Sequence, residues 1–172
     1  TRVWLRPSER PGGQNEVEMG VDVERKQEVL EPFFPVRDDA DLDAAVNAAA
    51  FGCYANMGQI CMSTERLVVD QSIADTFVEK LAAKARSLPH GNPRDHVILG
   101  ALVTQEAATR NKELLDDAVA KGACVVAGGD FKGAVVSATL VDRVTPNMRI
   151  YSEESFGPVK PVVRVNGVEE AI

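Results

Sequence analysis

The strongest chemical signal in this chain is one cysteine. The stretch Tyr54-Ala-Asn-Met-Gly-Gln-Ile-Cys61-Met-Ser-Thr-Glu-Arg66 sets Cys61 in a short glycine-containing turn. An apolar helical stretch precedes that turn and an apolar strand-like run follows it. A free thiol has a pKa of about 8.5 and turns nucleophilic where its surroundings favour the thiolate. Such a nucleophile divides one difficult step into two easier ones through a covalent thio-intermediate. The competing reading is a buried structural cysteine, since free Cys packs as a small hydrophobe.

The other candidate groups point less clearly to chemistry. Cys53 falls on the apolar face of a helix, and Cys124 lies inside the apolar run 123–127, which reads as core. The three cysteines are odd in number and show no metal or redox spacing, so they read as free thiols in a reducing, cytoplasmic compartment. His90 and His96 sit in a polar loop and do not make a zinc site, so no metal is expected. Gly128-Gly129-Asp130 follows a strand without opening a helix, which favours a turn over a phosphate cradle.

Composition sets the wider bounds. The 172 residues suffice for one domain with a real core. A net charge of −7 argues against nucleic acid or an anionic membrane as the main partner, because both select a basic face. No apolar run has the length to span a bilayer. The first ten residues lack the apolar core of a signal peptide. The start at Thr1, not Met, reads as a fragment.

The elements that must position Cys61 follow from periodicity. Residues 1–36 differ from the rest: 7–15 is polar and turn-rich and reads as a flexible lead-in, and 17–31 shows no helical stripe. Residues 31–36, with two prolines, read as a short edge strand or an extended connection. Asp38-Asp-Ala-Asp41 caps a helix with Leu42, Ala45, Val46, Ala49 and Cys53 on one face, ended by Asn56 and Gly58. After the cysteine turn, 66–70 reads as a buried strand. Ser72-Ile-Ala-Asp75 is patterned as a capping box, opening a helix with Ile73, Phe77, Leu81 and Ala85 on one face and a stop at Pro89. A further helix runs from after Thr104 to about Lys121, with Gly122 as its stop. Residues 135–138 and 139–144 form two short strands or one bent one. A helical turn is expected over 148–154, and a helix begins at 167–172. Residues 158–165 carry two prolines and read as an edge or terminal strand. Strands alternating with amphipathic helices give an α/β fold with a mostly parallel sheet flanked by helices.

Two ordered motifs carry a family resemblance. Asn56-x-Gly58-Gln59-x-Cys61, with Arg66 five residues on, resembles the active-site cysteine signature of the aldehyde dehydrogenase superfamily. Glu154-Ser-Phe156-Gly157-Pro158-Val159 resembles the family's Glu-x-Phe-Gly-Pro motif, at about the family's separation from the cysteine. Residues 60–66 and 148–160 look closest to the salicylaldehyde (aromatic aldehyde) dehydrogenase branch. The resemblance covers 37–172, which would then be a partial, incomplete catalytic domain.

It implies NAD(P)-dependent oxidation of an aldehyde, with NAD or NADP as cofactor. Cys61 would attack the aldehyde carbon, and its backbone N–H would help hold the oxyanion. Glu154 would accept hydrogen bonds from the nicotinamide ribose, and Phe156 would pack beside the nicotinamide ring. Without the resemblance, Glu153 and Glu154 read as a solvated acidic turn and Phe156 as core. Asn56, Gly58 and Gln59 would shape the turn, Arg66 would be structural, and Met62 fits an aldehyde pocket or the core equally. The implied partner is a small-molecule aldehyde. A homo-oligomer belongs to the full-length family.

The match breaks down upstream. In register, the family's general-base glutamate falls at Gln27, with Glu28 one place off and both glycines of that segment absent. No counterpart of the cofactor domain or of the C-terminal segment is present. The alternative is therefore a truncated, inactive relative that acts at most in association.

Overall fold

The computed structural model describes residues 2–7, 17–22 and 33–171. β1 (Arg2–Pro7) and β2 (Val17–Asp22) pair antiparallel, with Arg2 opposite Asp22. The rest of the turn-rich lead-in beyond Pro7 lies outside the described residues, as do Gln27 and Glu28.

The main sheet is mixed α/β in character and mostly parallel, as the strand–helix alternation suggested. β3 (Phe33–Val36) takes one edge, the strand option for that segment. β4 (Arg66–Asp70) lies beside it, and β9 (Val159–Val165) lies beside β4, both pairs parallel. β8 (Thr139–Asp142) runs parallel to β9, and β5 (Cys124–Ala127) closes the far edge antiparallel. A separate hairpin joins β6 (Phe131–Lys132) to β7 (Val135–Val136).

Helices cover both faces. α1 (Leu42–Tyr54) is capped by Asp41, whose carboxylate accepts from the Asp43 and Ala44 amides at 3.0 and 3.1 Å. α2 (Ala74–Arg86) packs with α1 on one face, where Ala49, Cys53, Phe77 and Leu81 meet Leu67, Val69 and Val162. α3 (Gln105–Ala120), capped by the Thr104 hydroxyl, covers the other face with Leu114, Leu115 and Ala118 near Val141, Val159 and Val163. The short helices α4 (Arg149–Ser152) and α5 (Val168–Ala171) precede and follow β9. Among the described residues, no helix is long and apolar enough to cross a membrane.

Three local expectations are corrected. No capping box forms at α2: the Ser72 amide and hydroxyl donate to Asp70 at 2.9 and 2.6 Å, and the helix starts without a side-chain cap. Cys124 is exposed, because its strand is the sheet edge and its apolar run is covered only in part. The proline-bearing β9 is central. Pro161 stands opposite Val141, one residue before the β4 ladder opens at Val162, so its missing donor falls at the end of that ladder.

Candidate active site

β4 and β9 are adjacent and parallel, so the segments entering them lie side by side at one end of the sheet. Those segments are the cysteine turn and residues 153–158. Two motifs about ninety residues apart in sequence are thereby carried to the same end of the sheet.

The cysteine turn is built from left-handed backbone. After α1, Asn56 and Met57 have φ of 48° and 57°, and Gly58 has φ of 74°. Asn tolerates this region, and Gly enters it without steric penalty. The Gln59 amide closes onto the Asn56 carbonyl at 3.0 Å, and Gln59 Oε1 accepts from the Val103 amide at 2.9 Å. A second turn follows, with the Ser63 amide donating to the Ile60 carbonyl at 2.8 Å. Cys61 and Met62 occupy its apex. Cys61 is exposed, and Met62 is 80% exposed, so the core option for Met62 fails. The Thr64 amide then donates to the Gly52 carbonyl at 3.0 Å and returns the chain to the sheet.

Of the three thiols, Cys53 is unsuited to nucleophilic work. Burial pushes it up to about 12, so it stays protonated near neutrality. Cys61 is displayed on a turn directly before β4.

On the facing segment, neighbouring acids have different fates. Glu153 is held by Arg149 at 2.7 Å and by Arg110 at 3.4 Å, and its carboxyl is lowered chiefly by the Arg149 hydrogen bond. Glu154 is exposed. Arg110 holds its backbone carbonyl at 3.1 Å. Phe156 has φ of 42° and is 41% exposed, so its ring is not the core residue that composition alone suggested. An exposed carboxylate two residues before an exposed aromatic ring is of a chemistry that suits a sugar diol joined to a flat heterocycle.

The glycines seat the two segments against each other. A Cβ at Gly58 would lie 2.3 Å from the Gly157 carbonyl oxygen, and a Cβ at Gly157 would lie 2.3 Å from Asn111 Oδ1. Gly58→Ala combines left-handed strain with a clash against backbone. It is expected to destabilise the chain by about 3 kcal/mol, measurable by urea unfolding. Arg66 is structural, as its place suggested: it donates to the Tyr151 carbonyl at 2.5 Å and lies over the Tyr151 ring.

Four residues at this junction were not singled out from sequence. Glu65 is buried and accepts from Lys160 Nζ at 2.6 Å, from the Ser155 amide at 2.8 Å and from Ser155 Oγ at 2.7 Å. Asn111, on α3, donates to the Ser155 carbonyl at 2.9 Å. No local sequence signal marks the pair; the structure's register, two residues back from Leu67–Val162, sets Glu65 opposite Lys160.

Two clefts lie elsewhere. One of about 260 Å³ sits at the opposite ends of β3, β4 and β9, and one of about 690 Å³ lies between the 90–92 loop and the β6–β7 hairpin. Neither reaches Cys61. No cluster of metal-ligating side chains occurs among the described residues.

Comparison with known proteins identifies the family. The family model described as "Aldehyde dehydrogenase family" matches residues 32–172. A vanillin dehydrogenase from Pseudomonas fluorescens is 59% identical over 138 residues, covering 80% of this chain and 28% of the relative. A salicylaldehyde dehydrogenase from Pseudomonas putida is 50% identical over 139 residues, covering 80% of this chain and 29% of the relative. The crystal structure of salicylaldehyde dehydrogenase from Pseudomonas putida G7, complexed with salicylaldehyde, superposes with a TM-score of 0.77 at 48% identity. That match covers 83% of this chain and 31% of the other. The chain thus spans under a third of the length of these relatives. A match over most of its residues, with both motifs seated at one end of one sheet, places this chain in the aldehyde dehydrogenase family.

Proposed function

We propose that this chain carries the reacting part of a site that oxidises an aldehyde, of aromatic type, to the carboxylic acid with NAD or NADP. The observation that carries the reading is an exposed thiol at a turn apex leading into β4, with an exposed carboxylate and aromatic ring on the segment leading into the adjacent parallel β9. The aromatic preference is supported by the vanillin and salicylaldehyde dehydrogenases among its relatives. Residues 37–172 would be part of a catalytic domain.

Cys61 Sγ, as thiolate, forms a bond to the aldehyde carbon while the carbonyl pair moves onto oxygen. The Cys61 backbone N–H donates to that developing oxyanion. NAD or NADP, when bound, would supply the acceptor for hydride from that carbon as the oxyanion pair re-forms the carbonyl. The carbon is then held on Cys61 as a thioester, and a thiolate is a good leaving group. Attack by water breaks the C–S bond, releases the acid and restores the thiol. Glu154 would accept from the ribose hydroxyls, and Phe156 would pack beside the nicotinamide.

A second reading has its own support. Phe51, Met62 and Val103 are exposed apolar groups, which suits an association module without turnover. The test is growth of NAD(P)H absorbance with an aromatic aldehyde. Turnover by the folded chain supports oxidation, and its absence supports the association reading.

A further inference from the structure

The two segments of the site are joined by one buried polar cluster. Glu65 lies four residues after Cys61, and Ser155 lies between Glu154 and Phe156. The Glu65 carboxylate takes both the amide and the hydroxyl of Ser155 on Oε2 and the Lys160 ammonium on Oε1. Lys160 Nζ also approaches Ser155 Oγ at 3.4 Å, and Ser155 Oγ lies 3.3 Å from the Gly157 carbonyl. From the other side, Asn111 holds the Ser155 carbonyl. Every polar atom of Ser155 is thereby engaged, and Glu65, Ser155, Lys160 and Asn111 are all buried.

This cluster surpasses what the sheet needs. A parallel ladder already pairs β4 with β9, so strand pairing alone does not call for a buried ion pair here. What the charges add is direction. The carboxylate must face Ser155 and Lys160 at once, which fixes the Cys61 lead-in against the Glu154–Phe156 lead-in.

We propose that Glu65 is a positioning residue, with Lys160 as its counter-charge: through Ser155 it sets the cysteine turn in register with the carboxylate and ring across from it. The proposal rests on the reading that Cys61, Glu154 and Phe156 form one site. Glu65 itself touches no reactant. Lys160 supplies the counter-charge to the buried carboxylate, which accepts from both donors of Ser155.

The test is site-resolved amide hydrogen exchange on the whole chain, with two double variants. Glu65→Leu/Lys160→Met removes the charges and the acceptor together. Glu65→Gln/Lys160→Met removes the charges but keeps an acceptor oxygen for Ser155. The probes are the amides of Ser155, Gln59 and Ser63, the last two closing the turns around Cys61. Phe77 and Leu115, deep in the two cores, serve as references. In the Leu/Met variant, exchange at all three probes should rise roughly 10- to 100-fold, the loss of a charge-assisted hydrogen bond, with the references unchanged. The Gln/Met variant should stay near the parent.

Faster exchange at Ser155 with Gln59 and Ser63 unchanged would overturn the proposal, as would equal acceleration at all five amides. Should the Leu/Met variant not fold, Ser155→Ala removes the hydroxyl arm alone. The same pattern, smaller in size, then decides by the same criteria. Whether Cys61 reacts with aldehyde is read separately by Cys61→Ala. Coupled exchange without that chemistry overturns the functional reading and leaves the coupling standing.

Discussion

Cys61→Ala is expected to abolish NAD(P)H formation with an aromatic aldehyde, by a factor on the order of 10⁶, as for other deleted nucleophiles. The same change should eliminate any acyl burst with an activated ester. The fold should tolerate it, because Cys61 is exposed at a turn apex and its sulfur fills no cavity. The unfolding midpoint should move by no more than about 0.5 kcal/mol equivalent, the usual range for exposed sites. Two other thiols provide internal controls. Cys53 is buried and held protonated, so it does not substitute. Cys124 is exposed but sits on β5, three strands from β4. Cys124→Ala should therefore leave turnover unchanged. Activity surviving in Cys61→Ala and lost in Cys124→Ala would overturn the assignment.

How much of this was legible in the sequence depends on the range of the interaction. Local signals read well. Asp41 and Thr104 cap the helices they precede, and Asn56 and Gly58 stop α1 because their backbone is left-handed. Family motifs located the two segments of the site but not their contact. That contact depends on strand order, which no local pattern encodes. The same gap explains the errors. β9 looked peripheral because Pro161 lacks a donor, yet that donor is lost at the end of a ladder. Cys124 looked buried because its run is apolar, yet β5 is an edge. Ser72 looked like a helix cap, yet Asp70 at the end of β4 took both its amide and its hydroxyl. Glu65 and Lys160 went unnoticed for a different reason. Single charges beside apolar runs read as solvated flanks until the register sets them face to face in the interior.

That burial makes Lys160→Met the substitution with the largest expected effect on stability. The side chain of Lys160 is fully buried and that of Glu65 is 4% exposed. Removing the ammonium leaves a carboxylate in the interior with Ser155 as its remaining partner among the described residues, and a broken buried pair typically costs about 3–5 kcal/mol. For a chain of this size that corresponds to a melting temperature lower by roughly 10 °C or more. Glu65→Gln alone should also destabilise, because it leaves the Lys160 ammonium facing an amide. The double variant Glu65→Gln/Lys160→Met should recover to within about 1 kcal/mol of the parent, since a neutral pair removes both desolvation penalties and retains the Ser155 acceptor. A thermal-unfolding cycle over the four proteins reads this coupling directly. Additive losses in the double variant would mean that the two charges act separately. Strong recovery would show that the ion pair contributes little net stability. The charges would then be retained for the direction they impose on Ser155, and through it on the two segments that flank the reacting thiol.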